Sequence, residues 1–394
     1  MKDVVVLAAA RTPIGSFLGA LAPLSAPQLG ATAIRAAVAQ AGVDPGGVDQ
    51  VIMGNVLQAG VGQAPARQAA IYAGIPKKAG AITLHKVCGS GLRAVMDARN
   101  AIVAEEWTTV VAGGMESMSN APHLMEKSRA GYRMGDVKLV DHMIKDGLWD
   151  PYGDKHMGNC GELCAAEYKF SREEQDQFAL TSYKRAQAAV EAGRFKDEII
   201  AVEVPQKKGD ALKIDRDEEP FAAPLDKMGK LRPAFDKNGT ITAANASKLN
   251  DGGAALVLTS ADNAKALQKR PLVRIIGQGS FAQEPEWFTT APAAAAKVAL
   301  AKAGLAVDKI DRWEVNEAFA VVTMACIRDL KLDPAKVNAR GGAVALGHPI
   351  GASGARILTT LIHQLLSEKL RYGCASICIG GGEAAAVVIE NLTL

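Results

Sequence analysis

The sequence has little net charge, few cysteines and no long hydrophobic run. Its 394 residues carry 45 Lys and Arg against 42 Asp and Glu, a net charge of +3 that does not indicate a nucleic-acid or anionic-membrane surface. No apolar run approaches the roughly 18 residues that span a bilayer, and residues 4–10 are followed at once by Arg11. That run favours a buried first strand over a short signal peptide. We therefore expect a cytoplasmic protein that binds neither nucleic acid nor membrane.

Cysteine is also scarce. Six cysteines in 394 residues are too few for a disulfide framework, and they favour free thiols in a reducing compartment. Cys160 and Cys164 share the spacing of Cys374 and Cys378, which raises the question of a metal site. No histidine stands at ligand spacing from these pairs, so we expect no zinc site. Single cysteines are therefore available for chemistry.

Small and apolar residues are abundant. Hydrophobic residues make up 48% of the chain and charged residues 22%, a balance that predicts a globular protein of two or three domains at this length. Short apolar runs near Val4, Val110, Val273 and Ile377 alternate with longer helical patterns. That alternation is typical of buried parallel strands joined by crossover helices, so we predict an α/β fold.

Three pairs of segments repeat in the same order. The first pair reads as helix, Gly turn, Asp and strand, and the others are SGLR with SGAR and GGME with GGGE. The pairs are residues 35–54 and 297–316, 90–93 and 353–356, and 113–116 and 380–383. Because the spacing between partners barely drifts, the sequence predicts a duplicated α/β unit.

The duplication divides the chain. We predict an N-terminal half from residues 1–118 together with 250–270, and a C-terminal half from residues 271–394. Residues 119–249 are charged and irregular, and they would form an insertion between the halves. Their charge favours a solvated face, and the alternative is a cover over a phosphate-bearing ligand.

Cys88 and His348 are the first candidates for catalysis. Cys88 follows the β-like stretch AITL and begins an amphipathic helix, where unpaired N–H groups and the helix dipole favour a nucleophilic thiolate. The repeat places Gly351 at the position of Cys88 in the second half, with His348 three residues earlier. If the halves pack around a pseudo-twofold axis, His348 reaches Cys88 and acts as its base. A buried structural cysteine is the alternative for Cys88.

Cys378 and Asn316 are the next candidates. Cys378 ends the last apolar run before a Gly turn, the kind of strand end at which parallel α/β sheets place reactive groups. Asn316, in VNEAFA, offers an amide that polarises a carbonyl or holds a water, and a turn-forming asparagine is the alternative. The assignment of Asn316 needs support from outside its own segment.

Seven motifs in this order closely resemble those of the thiolases, over essentially the whole chain. They are ARTPIGSFLGAL at Ala10, KVCGSGLRAV around Cys88, AGGMESMS at Ala112, HMG at His156, NEAFA at Asn316, GGAVALGHPIGASGAR at Gly341 and CIGGGEAA at Cys378. The HMG triplet is similar to that of the short-chain acetyl-CoA acetyltransferases within the family. The resemblance implies the thiolase fold, a duplicated five-layered αβαβα core with an inserted loop domain that covers the coenzyme A site.

The same resemblance implies a chemistry. Cys88 would take the acyl group as a thioester, His348 would activate Cys88, and Cys378 would remove a proton from C2 of the incoming acetyl-CoA. The reaction would be a reversible Claisen condensation of two acetyl-CoA molecules to acetoacetyl-CoA and free coenzyme A. One oxyanion hole would lie between the His348 side chain and a water held by Asn316, and another between the backbone N–H groups of Cys88 and Gly380.

Coenzyme A thioesters would be the substrates, with no resident cofactor and no metal. The positions that the resemblance places against coenzyme A are Leu148, His156, Met157, Phe235, Ser247, Leu249 and Phe319. Three positions depart from the family. An arginine that relatives often carry shortly before LRPAF is replaced near Pro220, so the resemblance assigns no contact to the 3′-phosphate. Lys248 stands where glycine is common. Phe288 replaces a methionine of the acyl pocket, where a flat ring could admit a branched 2-methyl-acetoacetyl group.

The family forms dimers and commonly tetramers, and we expect a homotetramer with residues 127–138 as a candidate tetramer loop. Three alternatives stay open for the function. A degradative 3-ketoacyl-CoA thiolase would use the same Cys, His and Cys, and the HMG triplet argues against it. A condensing enzyme of fatty-acid or polyketide synthesis would lack Cys378. An inactive acyl-CoA-binding or protein-binding scaffold would keep the fold without turnover.

Overall fold

A computed structural model describes residues 2–394, which form sixteen strands and eleven α-helices. The strands are β1 (Val4–Arg11), β2 (Gly15–Ser16), β3 (Gln50–Gly54), β4 (Gly80–Leu84), β5 (Thr109–Ser117), β6 (His123–Leu124), β7 (Val140–Asp141), β8 (Trp149–Asp150), β9 (Lys155–His156), β10 (Val202–Val204), β11 (Leu212–Ile214), β12 (Asn250–Ser260), β13 (Val273–Ala282), β14 (Arg312–Val315), β15 (Tyr372–Ile379) and β16 (Glu383–Asn391).

The helices vary from single turns to five turns. They are α1 (Ala26–Ala41), α2 (Pro65–Tyr72), α3 (Ser90–Val103), α4 (Met157–Tyr168), α5 (Arg172–Glu191), α6 (Glu219–Ala222), α7 (Ala261–Ala266), α8 (Ala291–Ala303), α9 (Ala320–Leu330), α10 (Ala343–Leu346) and α11 (Ile350–Glu368). A π-helical segment, Met143–Leu148, precedes β8.

Ten strands belong to one mixed sheet, in the order β14-β15-β16-β13-β1-β12-β5-β3-β4 with β2 paired to β12. β1 and β13 pair at only two positions, Val5 with Arg274 and Val6 with Val273. The sheet therefore has an N-terminal part, β1 to β5 with β12, and a C-terminal part, β13 to β16.

Helices lie between and outside these two parts. α3 contacts β5 and β16, and α11 contacts β12 and β15, so both helices are sandwiched between the two parts of the sheet. α1 and α2 cover the outer face of the N-terminal part, and α8 covers the outer face of the C-terminal part. This helix-sheet-helix-sheet-helix arrangement confirms the α/β fold class that the sequence predicts.

Neighbouring residues on one strand pack in different hydrophobic cores, on opposite faces of the sheet. Val110 packs in the central core with Leu92 of α3 and Leu361 of α11, whereas Val111 packs in the outer core with Ile34 of α1. Burying each such side chain contributes about 1.5–3 kcal/mol, so a strand covered on both faces needs an unbroken apolar run.

The apolar runs near Val4, Val110, Val273 and Ile377 all lie in strands, as predicted. Their directions are mixed, whereas the sequence pattern favoured parallel strands. β3 is parallel to β4 and β5, and β14 is parallel to β15, but β1 and β13 pair antiparallel with their neighbours in the sheet. Burial on both faces explains the apolar runs, whatever the direction of the strands.

The first repeat is a helix, a turn and a strand in both halves, namely α1 with β3 and α8 with β14. Gly42 and Gly304 end the two helices with φ values of 60° and 66°. Glycine adopts this left-handed conformation without a steric penalty, so the correspondence extends to the residue that ends each helix.

The second repeat explains why two distant turns meet. Gly91 and Gly354 are its corresponding glycines, one in α3 and one in α11. A Cβ on Gly91 would lie 2.8 Å from the backbone N of Ala355, and a Cβ on Gly354 would overlap the backbone N of Leu92. Because glycine permits this approach, the N-terminal ends of α3 and α11 lie side by side.

The third repeat is less regular. GGME lies within β5, whereas GGGE forms the turn between β15 and β16, with Gly381 and Gly382 at φ values of 91° and 84°. The chain therefore reverses beside the end of β15, where Cys378 stands.

Residues 119–249 contain α4, α5, α6 and several two- or three-residue strands. α4 and α5 pack on α9, and α5 also packs on α10. The predicted division of the chain at residues 118, 249 and 270 stays a prediction. None of the helices between residues 2 and 394 has the length and hydropathy needed to cross a membrane.

Candidate active site

A largely apolar cavity of about 370 Å³, here called the central cavity, opens at the N-terminal end of α11. Seven residues singled out from the sequence line it: Leu148, His156, Phe235, Ser247, Leu249, Phe319 and His348. Two larger clefts, of about 640 and 650 Å³, lie near Lys213 and Arg216 and hold none of the predicted site residues. Of the predicted catalytic residues, His348 lines the central cavity, whereas Cys88, Cys378, Asn316 and Gly380 do not.

Cys88 lies in the tight turn between β4 and α3. The Ser90 hydroxyl donates to the carbonyl of Val87 at 2.7 Å and accepts the N–H of Lys86 at 2.8 Å, which fixes the turn. Val87 has a φ of 44°, unusual for a β-branched residue, so strain is stored beside Cys88. Cys88 is half-buried and packs against the cluster that contains Ile350, a residue of the cavity wall.

Burial sets the protonation state of the Cys88 thiol. Burial raises the pKa of Cys88 to about 12, and the nearby Glu116 carboxylate also raises it. Hydrogen bonds from the backbone N–H groups of Cys88 and Gly380 oppose this rise without cancelling it. The thiolate expected from the helix N-terminus is therefore not the resting form, because desolvation outweighs the amide donors. A base is needed to deprotonate Cys88.

The imidazole of His348 is held in one tautomer. The Ser353 hydroxyl donates its proton to the carbonyl of Pro349 at 2.9 Å, so its oxygen accepts from His348 Nδ1, 2.6 Å away. Nε2 therefore carries no proton and is available as a base. Burial, together with the positive charge of Arg356, lowers the pKa of His348 to about 3, so the ring is neutral at physiological pH.

Cys378 is the last residue but one of β15 and is buried. It packs in one cluster with Met157, Phe288 and Phe319. Burial raises the pKa of the Cys378 thiol well above its usual range, and the charge of Cys88 raises it further, so the two sulfurs lie within electrostatic reach. The structure thus brings together two thiols that are 290 residues apart in the sequence.

The turn after Cys378 contacts the turn that holds Cys88. The backbone N–H of Gly380 is directed at the Cys88 sulfur. Lys86 Nζ forms an ion pair with Glu383 Oε2 at 2.5 Å, which joins the same two turns near the surface. The N–H groups of Cys88 and Gly380 can therefore hold a substrate oxygen beside the sulfur.

Asn316 follows β14 and is fully buried. Its backbone N–H donates to the carbonyl of Ser376 at 3.0 Å, and its Nδ2 lies 3.4 Å from His348 Nε2. Asn316 Oδ1 accepts no hydrogen bond from the described residues. Leaving a buried acceptor unpaired costs about 1–3 kcal/mol, and a water between this oxygen and a substrate would satisfy it.

Aromatic rings form one wall of the central cavity. His156 stacks on Phe235 with ring centroids 4.7 Å apart, and Phe235 meets Phe319 edge-on at 5.8 Å. His156 Nδ1 accepts the N–H of Gly158 at 3.0 Å, and burial lowers the pKa of His156, so its ring is neutral. An uncharged aromatic wall suits the apolar and amide groups of a pantetheine chain.

Met157 and Phe288 lie outside the lining of the central cavity. Met157 is buried beside Gly380, and Phe288 is buried with its ring 6.5 Å from that of Phe319. Both belong to the cluster that contains Cys378. The structure therefore places Phe288 near the predicted acyl position rather than in the wall of the cavity.

The sequence indicated no functional role for Glu116, which it contained only as the last residue of the GGME repeat. Its buried carboxylate accepts from Asn55 Nδ2 at 2.7 Å and from the N–H groups of Val56, Leu57 and Gly351 at 3.0, 3.1 and 2.9 Å. It therefore joins the loop after β3 to the first turn of α11, beside Cys88. An acidic residue at the buried end of a strand is the signal that could have identified it.

No group of three or more His, Cys, Asp or Glu side chains in residues 2–394 is arranged to hold a metal ion. The six cysteines are all unpaired.

Comparisons with known proteins find the same family over nearly the whole chain. The family model described as thiolase, N-terminal domain, matches residues 4–262, and the one described as thiolase, C-terminal domain, matches residues 269–391. An acetyl-CoA acetyltransferase of Cupriavidus necator is 52% identical over 392 residues, 99% of this chain and 100% of the relative. One of Pseudomonas aeruginosa is 51% identical over the same shares of both chains, and the mitochondrial one of Bos taurus is 49% identical over 393 residues, covering 100% of this chain and 92% of the relative.

Proposed function

The chain belongs to the thiolase family, and from that premise we propose that it is an acetyl-CoA C-acetyltransferase. It would condense two acetyl-CoA molecules reversibly to acetoacetyl-CoA and coenzyme A. The observation that carries the proposal is the approach of Cys88 to Cys378 and Gly380, which places a nucleophile, a second thiol and an amide donor around one sulfur. The names of the relatives support the short-chain substrate.

The first step is acetylation of Cys88. His348 Nε2 takes the proton of the Cys88 thiol, and the thiolate attacks the carbonyl carbon of acetyl-CoA. The tetrahedral intermediate carries negative charge on its oxygen, and prepositioned donors at such an oxygen are worth about 10²–10³ in rate each. Coenzyme A leaves as its thiolate and takes a proton from the Cys378 thiol, so Cys378 becomes a thiolate and His348 keeps the proton on Nε2. A neutral imidazole is the form that this step requires, since only it accepts a proton.

The second step is condensation. The Cys378 thiolate would remove a proton from C2 of a second acetyl-CoA, and the resulting carbanion would attack the acetyl group on Cys88. The enolate oxygen of this second thioester would accept from the protonated Nε2 of His348 and from the water held by Asn316. The expelled Cys88 thiolate recovers the proton from His348 as acetoacetyl-CoA forms, and the reverse sequence is thiolysis.

Substrate binding would use the aromatic wall of the central cavity for the pantetheine chain. Leu148, Ser247 and Leu249 would form the other contacts, and Phe288 would border the acyl group. Pro220 offers no charged group to the 3′-phosphate of coenzyme A. Thiol, imidazole and amide groups account for each step, so the proposal requires no resident cofactor.

We also propose a cytoplasmic homotetramer. The free state of all six cysteines supports a reducing compartment. The segment around residues 127–138 exposes apolar side chains: Met125, Tyr132, Met134, Val137 and Leu139. Met134 is 98% exposed, which favours its burial against another copy. Sedimentation velocity of the wild type and of Met134→Asp tests this, and a tetramer in both would remove the segment from the interface.

The experiment that tests the function is coenzyme A-dependent thiolysis of acetoacetyl-CoA beside 3-ketodecanoyl-CoA. Specificity resides in kcat/KM, so this ratio is compared for the two substrates. A preference for acetoacetyl-CoA supports the proposal, and a preference for the longer chain would identify a degradative thiolase. Binding without turnover would identify a scaffold. Cys88→Ser is the matched control, because it should abolish any activity that belongs to this site.

A further inference from the structure

Lys248 lies in the wall of the central cavity, between Ser247 and Leu249. Its Nζ donates to the carbonyl of Ala246 at 2.8 Å and lies 3.4 Å from the carbonyl of Val344. The first of these bonds stays within the loop that contacts substrate. The second reaches α10, the single helical turn that leads to His348.

α10 is held from its other side by Glu317. The carboxylate of Glu317 accepts the N–H of Val344 at 3.1 Å, the hydroxyl of Ser182 at 2.7 Å and Nδ2 of Asn338 at 2.8 Å. The peptide groups of Val344 therefore donate to a carboxylate and accept from an ammonium group. Two opposite charges fix the same residue of α10.

A second carboxylate holds the segment that follows. The N–H of His348 donates to Asn250 Oδ1 at 2.8 Å, and Asn250 Nδ2 donates to Glu219 Oε1 at 3.0 Å. Gly347, with a φ of 105°, has no room for a Cβ beside Asn250. The position of His348 is thus determined by contacts that end on Glu219 and Glu317, both buried.

Two buried carboxylates without a nearby cation would be costly, because their charges repel and neither is hydrated. Both carboxylates attract the charge of Lys248, and Arg356 is a second cation that acts on Glu317. Its Nζ also lies 5.6 Å from the ring centroid of Tyr183, which limits its movement away from α10. A glycine here, which the family resemblance favours, would leave the carboxylates without this partner.

We propose that Lys248 is a positioning residue for His348, because its ammonium group ties the substrate-binding loop to α10 and neutralises the two carboxylates that hold the far side of that segment. The inference rests on the proposed acetylation of Cys88. Lys248 would support the reaction through His348, without contacting the reacting atoms.

The charge of Lys248 should be lost within an accessible pH range. Burial lowers the pKa of Lys248 to about 8, although Glu219 and Glu317 oppose this change. The other titratable groups that face it are Tyr183 on α5, whose pKa is raised by burial, and His348, which is neutral. Above about pH 8, Lys248 would lose its charge and hold α10 less firmly, whereas an arginine would keep its charge.

The test is single-turnover acetylation of Cys88 by acetyl-CoA, quenched and read by mass spectrometry between about pH 6.5 and 9.5. Wild type should react about tenfold faster than Lys248→Met at the acid end, as expected for a slightly displaced catalytic base. The ratio of the wild-type rate to the Lys248→Met rate should approach one at the alkaline end. Ionisations that both proteins share do not affect this ratio. Lys248→Arg should stay fast throughout. Lys237→Met, an exposed lysine of the same insertion, should follow the wild type at every pH.

A wild-type to Lys248→Met ratio that is constant with pH would overturn the inference, since a packing effect does not titrate. An unchanged rate with a raised KM for acetyl-CoA would also overturn it, in favour of a substrate contact. If Lys248→Met does not fold, the wild type is compared with Lys248→Arg instead. Acetylation of Cys88 in the wild type should then become slower than in Lys248→Arg above about pH 8. Parallel pH–rate profiles of these two proteins would contradict the inference. Failure of wild type to acetylate Cys88 at all would refute the proposed function itself.

Discussion

Replacing Ser353 with alanine tests whether one tautomer of His348 drives the acetylation of Cys88. The Ser353 hydroxyl gives its proton to Pro349 and accepts the Nδ1–H of His348. In the variant that N–H has no partner, so the tautomer with its proton on Nδ1 loses the contact that favours it. The substitution therefore weakens the preference for the tautomer that can take the proton of Cys88.

The magnitude follows from the lost bond, which is 2.6 Å long and buried. Leaving a buried donor unpaired costs about 1–3 kcal/mol, and this cost falls on the active tautomer alone. Acetylation of Cys88 should therefore slow by about 5- to 150-fold. Ser353 does not line the central cavity, so the KM for acetyl-CoA should change little. Rapid mixing with acetyl-CoA, acid quench and intact-mass analysis measure both quantities.

Thr359→Val is the matched control. Thr359 lies on the same helix, α11, is equally buried and has a hydroxyl without a hydrogen-bond partner. Its removal should leave the acetylation rate at the wild-type value. A folded Ser353→Ala protein that acetylates as fast as wild type would refute the tautomer argument, and an equal loss in both variants would point to packing of α11 instead.

The remaining predictions address the two thiols, a buried acid and the acyl pocket. Cys378→Ser should still acetylate Cys88 but lose condensation, and an unlabelled Cys378→Ser protein in mass spectrometry would count against separate roles. Because burial raises the pKa of Cys88 to about 12, its alkylation by iodoacetamide should accelerate with pH up to about 10, and a plateau near neutral pH would contradict a protonated resting thiol. Burial raises the pKa of Glu116 to about 7, above its unfolded value, so the protonated form is favoured in the fold and wild type should lose up to about 3 kcal/mol of stability as pH rises from about 5 to 7.5. Urea unfolding should show a smaller loss for Glu116→Gln, and parallel curves would be inconsistent with a titrating Glu116. Phe288→Met should lower kcat/KM for 2-methyl-acetoacetyl-CoA relative to acetoacetyl-CoA, and equal turnover of the branched substrate by both proteins would remove Phe288 from specificity.

The sequence predicted those features that depend on local pattern and on the repeat. The helix after Cys88 follows from its amphipathic pattern, and the side-by-side N-terminal ends of α3 and α11 agree with the predicted packing of the two halves. The same reasoning could not predict the role of Glu116, because its four donors come from segments far apart in the sequence. It also gave the wrong resting state for Cys88, since a pKa depends on what covers the sulfur as well as on the nearest helix.

The Cys88 thiol and the His348 imidazole are both neutral in the resting enzyme, so the amide donors beside Cys88 act mainly during the reaction. The backbone N–H groups of Cys88 and Gly380 do not ionise the Cys88 thiol, because burial outweighs them. When a thioester is attacked, however, a full charge develops on an oxygen that sits where these donors already point. Oxygen is a stronger acceptor than a thiol sulfur, so the same two N–H groups stabilise the intermediate more than the resting enzyme. Their binding energy is then realised in the transition state rather than the ground state, which is the condition for raising kcat.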